Sequence, residues 1–125
     1  MNLKNKIEKF SKDTLSSFKY AYNGIISSVK TERNLKIHIA VMFLVIIAGI
    51  IFNISPWEWI ICLILFGAVI SSELVNTALE IIVDIIMPYK NEKAKLVKDI
   101  AASAVFVWAI MSAIIGLIIF IPKII

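Results

Sequence analysis

Between Ile100 and Ile121 the chain runs for 22 residues without a charged side chain. About 20 apolar residues cross the hydrocarbon core of a bilayer as a helix, and a helix satisfies its own backbone polar groups there. Two further runs read the same way. One extends from about Leu35 to Ile54 and is apolar except for Lys36, His38 and Asn53. The other starts at Trp57 and continues through Glu73 towards Met87. Composition agrees, since the 125 residues are 60% hydrophobic with a mean hydropathy of +0.91, against roughly 45–50% apolar in soluble domains. The pattern predicts an all-α integral membrane protein with helices over 35–54, 57–87 and 98–121, forming a single domain over 1–125.

The segment before the first span predicts a further helix over 1–33. Leu3, Ile7, Phe10, Thr14, Phe18, Tyr22, Ile25 and Val29 fall within about 120° of helical arc, with lysines over much of the remainder. Such a helix suits the headgroup plane, although a helix docking on a cytoplasmic partner has the same pattern. MNLKNKIEKFSKD carries charges throughout and has no apolar core with a small-residue cleavage site, so it is not expected to be a cleaved signal.

Basic residues set the orientation. Residues 1–36 hold eight Lys/Arg and residues 88–99 hold four, whereas the turn NISPWE holds none. The N-terminus and the 88–99 loop are therefore expected on the cytoplasmic side. These basic residues flank hydrophobic spans, which points to lipid headgroups and nucleotide phosphates and away from nucleic acid. Trp57 and Trp59 fit the outer interfacial belt. Cys62 is the only cysteine, which excludes a disulfide within one chain and a cysteine-based metal site. Small residues at four-residue spacing in the last span, Ala109/Ala113 and Ser112/Gly116, let helices approach closely and favour oligomerisation.

The second span carries the chemistry. SSELVNTALEIIVD places Glu73, Asn76, Glu80 and Asp84 in one apolar helix. With Glu73 at 0°, the others fall at about −60°, −20° and +20°, so three carboxylates and an amide share one stripe. Glu80 and Asp84 are expected at the cytoplasmic boundary, with Glu73 roughly one-third of the way in from it. An ionisable group in that position is costly, by up to about 2.5–3.5 kcal/mol at the bilayer centre, and marks a functional site by default. A structural polar seam paired with the loop lysines is the alternative.

Two other elements lie at the same depth. Glu32, in KTERNLKIH, and Glu80 with an amide such as Asn76 make a hard oxygen site suited to Mg²⁺; Glu32 alone reads equally as a solvated charge. Lys98 and Asp99 open the last span. A lysine there either holds a phosphate or anchors the helix end. His38 reads as an interfacial packing histidine.

The run ELVNTALEIIVD resembles the signature of the small prokaryotic membrane lipid kinases, the diacylglycerol kinase family. TERNLKIH, the PWEW turn, the spacing from Asp84 to Lys98, KDIAASAV and GLIIFIPK resemble its Gram-positive branch, which contains undecaprenol kinases. The resemblance covers nearly the whole chain. It implies a homotrimer in the bacterial cell membrane, each chain having an amphipathic surface helix and three transmembrane helices, with active sites at the cytoplasmic face between subunits. It further implies Glu73 as general base, Glu32 and Glu80 as ligands of the divalent metal, and Tyr20, Asn76, Lys98 and Asp99 as nucleotide-site residues together with Glu32 and Glu80. AASAV departs from the family's usual AAGAV or GSAAV at Ser103. An N-terminal arginine of the Gram-negative branch has no counterpart.

The expected activity is ATP-dependent, Mg²⁺-assisted phosphorylation of a membrane lipid alcohol. Undecaprenol is favoured, held in an apolar groove lined by residues such as Ile70, Val105 and Ala109; diacylglycerol is the alternative. A membrane ion or proton pathway is the reading of a different class. It needs charged or histidine side chains across the whole bilayer, and between Glu58 and Glu73 the second span has no Asp, Glu, His, Lys or Arg.

Overall fold

The computed structural model describes residues 1–125. It is all-helical, with four helices: α1 (Leu3–Thr31), α2 (Arg33–Ile51), α3 (Pro56–Ile86) and α4 (Glu92–Ile124). The chain falls into two units, residues 1–32 and 33–125.

The first unit is α1, a single helix of 29 residues. Asn2 caps it, its Oδ1 accepting from the Asn5 N–H at 2.9 Å, which satisfies one of the unpaired amides of the first turn. No residue of α1 is buried, and Leu3, Phe10 and Phe18 are among its exposed apolar side chains. Extended Glu32 ends the helix, its N–H donating to the Ser28 carbonyl at 2.8 Å.

The second unit is an α2–α3–α4 antiparallel set in which α3 packs against both neighbours. All three helices are long and apolar enough to cross a membrane. Most of their large apolar side chains stay exposed on the single chain, as expected where lipid or another membrane helix is the neighbour. The protein is a multi-pass membrane protein. At 1.5 Å per residue, the 31 residues of α3 span about 46 Å, longer than a hydrocarbon core of about 30 Å, so its polar end reaches into the interface.

The outer connection is tightly built. Asn53 adopts a left-handed backbone with φ of 51°, which closes α2 with paired bonds from Asn53 N–H to the Ile50 carbonyl and from Ile54 N–H to the Gly49 carbonyl. Two residues later Ser55 and Glu58 form a reciprocal cap on α3, with Pro56 in the first turn. The other Glu58 oxygen accepts from Lys123 Nζ at 3.0 Å, tying the start of α3 to the end of α4. Ile54, Cys62 and Ile119 form the buried cluster beneath, flanked by Val45, Trp59, Phe66, Ile115 and Phe120. Trp59 is thus partly packed inside, while Trp57 is exposed.

The other end is joined by a short loop. α4 begins at Glu92, six residues before the position expected from hydropathy. Asn91 Oδ1 accepts from the N–H groups of Lys93 and Ala94 at 2.9 and 3.1 Å, which starts the helix within the charged segment.

Candidate active site at the polar end of the bundle

The stripe on α3 is graded in exposure. Glu73, Asn76 and Thr77 are buried, at 3%, 5% and 5% exposure, Glu80 is half-buried and Asp84 is exposed. Burying such groups is costly unless they are paired. Asn76 Nδ2 donates to Glu80 Oε1 at 3.3 Å, and Glu73 Oε2 lies 3.8 Å from His38 Nε2 on α2. Ser71 and Ser72 return their hydroxyls to backbone carbonyls of their own helix, at 3.2 and 2.8 Å, and so leave the stripe to the acids and the amide.

Two acceptors in the stripe are unused. Asn76 Oδ1 and Thr77 Oγ1 are buried without a hydrogen-bond partner. An unfilled amide oxygen next to the Glu80 carboxylate is a pair of hard oxygen donors. That donor chemistry fits Mg²⁺, which takes oxygen ligands and retains several waters. No set of three or more His, Cys, Asp or Glu side chains converges to hold a metal ion.

Further along, charge pairs bridge α3 and α4. Lys98 Nζ on α4 donates to Asp84 Oδ1 on α3, and Lys95 Nζ donates to Asp99 Oδ2 at 2.7 Å within α4. A cleft of about 680 Å³ opens beside them, lined by Val83, Asp84, Tyr89, Lys95 and Lys98 among others. Tyr20 stands exposed on α1 and Glu32 is the half-buried residue that ends that helix.

A second, apolar space of about 630 Å³ lies between α2, α3 and α4. Ile70, Phe66, Ala109, Ala113 and Gly116 line it, and His38 stands in its wall. Val105 is buried and does not border it. The bundle therefore sets an apolar groove and a charged cleft on opposite sides of a buried carboxylate along α3.

Residues 19–120 match the prokaryotic diacylglycerol kinase family. The chain belongs to that family. Among the family's members, the undecaprenol kinase of Bacillus subtilis is 43% identical over 120 residues, which cover 96% of this chain and 94% of that one. The diacylglycerol kinase of Synechocystis is 36% identical over 103 residues, which cover 82% of this chain and 59% of that longer protein. The family match spans every stripe residue, from Glu73 to Asp84, and both residues of the Lys98–Asp99 pair.

Sequence reasoning missed three features of the site and its frame. The first is the contact of His38 with Glu73, which no periodicity within one helix can disclose. The second is Thr77, at about +40° in the same stripe and buried like Glu73; its angle was a usable signal. The third is the link from Glu58 to Lys123, of which only the Ser55–Glu58 cap is visible as a local motif.

Proposed function

We propose that this chain phosphorylates a membrane lipid alcohol with ATP, and that the alcohol is undecaprenol. The observation that carries the reading is its 43% identity, along almost the full length of both proteins, to an undecaprenol kinase. The buried stripe supplies the chemistry. Lipid kinases must bring a water-borne nucleotide to a bilayer-borne hydroxyl, and α3 carries polar groups from the exposed Asp84 to the buried Glu73.

Glu73 acts as general base. A lipid hydroxyl is too weakly acidic to ionise in advance, so a positioned carboxylate takes its proton as the transition state forms. The lipid oxygen bonds to the γ-phosphorus, the bond to the β-phosphate oxygen breaks, and ADP leaves. Glu32 and Glu80 would hold Mg²⁺ at the rim, which would supply positive charge against the phosphates. Asn76 orients the phosphate site, Lys98 offsets charge on the phosphates, and Asp99 and Tyr20 line the nucleotide site. Ile70 contacts the lipid in the apolar groove. The active sites face the cytoplasm in a homotrimer, with α1 lying in the headgroup plane as an amphipathic helix.

Diacylglycerol is the second reading, supported by the relative from Synechocystis. The test is phosphate transfer by purified protein to each lipid in one detergent, read as kcat/KM. Preference for diacylglycerol reverses the substrate assignment; transfer to neither lipid removes the kinase reading.

A further inference from the structure

The proton that Glu73 accepts must leave before the next turnover, and Glu73 is only 3% exposed. One contact of Glu73 across the bundle is His38, whose Nε2 lies 3.8 Å from Oε2 and whose side chain is 24% exposed. His38 also stands in the wall of the apolar groove, so it borders both the buried acid and the space beside it. It lies five residues, about 8 Å of helix, from Arg33 at the start of α2. Water at the interface is within reach of that end.

We infer that His38 is the proton-relay residue of Glu73, a role that rests on Glu73 being the base. In the resting site neutral His38 carries its proton on Nδ1, which leaves Nε2 facing Glu73 free to accept. The gap of 3.8 Å exceeds a direct hydrogen bond and closes with a small rotation, a tightening common when a substrate completes a site. After phosphoryl transfer the Glu73 carboxylic acid gives its proton to Nε2 of neutral His38. The imidazolium then releases a proton to water and both groups return to their starting state. No oxidant or further reactant enters.

The titratable side chains around His38 are Arg33 and Lys36 on its own helix, and Glu73, Glu80 and, towards the outer end, Cys62 on α3. α4 has none between Asp99 and Lys123. Glu80 is seven residues from Glu73, about 10 Å along the helix, and it already accepts from Asn76.

The test uses the full-length protein in detergent with undecaprenol and Mg-ATP. His38→Gln should lower kcat roughly tenfold or more, less than the 10²–10⁴-fold typical of losing a general base, with KM for ATP unchanged. Its residual rate should rise with pH more steeply than that of the parent, because hydroxide then has to take the proton. His38→Ala should regain activity on addition of imidazole. Full activity of His38→Gln, or the same loss at every pH with no rescue of His38→Ala, overturns the relay. Glu73→Gln run alongside separates the two readings. If Glu73→Gln is active, the base assignment fails and the relay with it. If Glu73→Gln is inactive while His38→Gln behaves as the parent, only the relay fails.

Discussion

Lys98 on α4 and Asp84 on α3 are bonded across the polar end of the bundle, fourteen residues apart in sequence. The pair is not deeply buried, with 37% of Lys98 and 62% of Asp84 exposed, and exposed pairs contribute only about 0–1 kcal/mol. It is therefore a bond that a phosphate can displace at little cost. Lys98→Met should raise KM for ATP at least roughly tenfold, the effect of losing about 1.4 kcal/mol of phosphate contact, with little change in thermal stability. Asp84→Asn should leave stability nearly unchanged as well. Nucleotide titration of both variants, beside thermal unfolding in detergent, checks this. An unchanged KM in Lys98→Met removes Lys98 from the phosphate site.

The metal assignment is tested at the rim. Glu80 and Glu32 are proposed ligands, and conversion to an amide removes a charge while preserving shape. Glu80→Gln and Glu32→Gln should each depress phosphate transfer sharply and raise the Mg²⁺ concentration needed for half-maximal rate. The oligomer should persist, as cross-linking or light scattering would report. A variant that keeps normal rate and normal Mg²⁺ dependence takes its residue out of the metal site.

The base assignment is separable from nucleotide binding. Glu73 lies about 10 Å deeper along α3 than Glu80 and is buried. Glu73→Gln should therefore keep its affinity for Mg-ATP while kcat falls by roughly 10²–10⁴-fold. Equilibrium nucleotide binding and turnover, measured on one preparation, decide the matter. Loss of nucleotide binding would assign Glu73 to the wrong substrate.

The outer connection sets stability without touching chemistry. A Cβ built at Gly49 would sit 2.7 Å from Trp59 Cη2, 2.9 Å from Cζ2 and 3.1 Å from Ile54 Cδ1. The indole is a rigid plate packed on the buried cluster, and Ile54 is held by the bond that ends α2. Neither can yield easily. Gly49→Ala should cost about 1–3 kcal/mol, as overpacking does, and lower the unfolding temperature, while kcat of the folded fraction stays near that of the parent.

What was legible in the sequence was whatever a single helix states about itself. The uncharged run from Ile100 to Ile121 and the stripe from Glu73 to Asp84 each carry their period or their length internally. The start of α4 was misplaced because hydropathy marks where lipid begins, whereas Asn91 caps the helix in water before that point. Contacts between helices were not legible in the same way. His38 looks like a packing residue until α2 and α3 are placed side by side and its ring meets Glu73. Lys98 looks like a phosphate ligand or a helix anchor, and its bond to Asp84 is the pairing that the structural-seam alternative describes.

On the proposed reading, substrate choice turns on the groove between the three apolar helices. Its lining is mostly hydrocarbon, with His38, Met42, Cys62 and Ser112 the exceptions. Diacylglycerol carries two ester carbonyls, and a site built to read them would present donors; polar readout of that kind discriminates strongly when it is present. This lining offers two donors to ester carbonyls, the His38 imidazole at the end near Glu73 and the Ser112 hydroxyl, which is buried without a partner. A polyprenol needs only apolar walls and room, which the small side chains of Ala109, Ala113 and Gly116 leave on α4. Widening or filling that space should therefore act on the lipid and not on the nucleotide. Ala113→Phe should raise KM for undecaprenol severalfold or more with KM for ATP unchanged, and Ile70→Ala should alter lipid kinetics alone. Because small residues on a membrane helix also serve contacts between helices, the oligomeric state of Ala113→Phe must be measured in the same detergent. If Ala113→Phe remains assembled and handles undecaprenol as the parent does, the lipid chain lies elsewhere on the bundle.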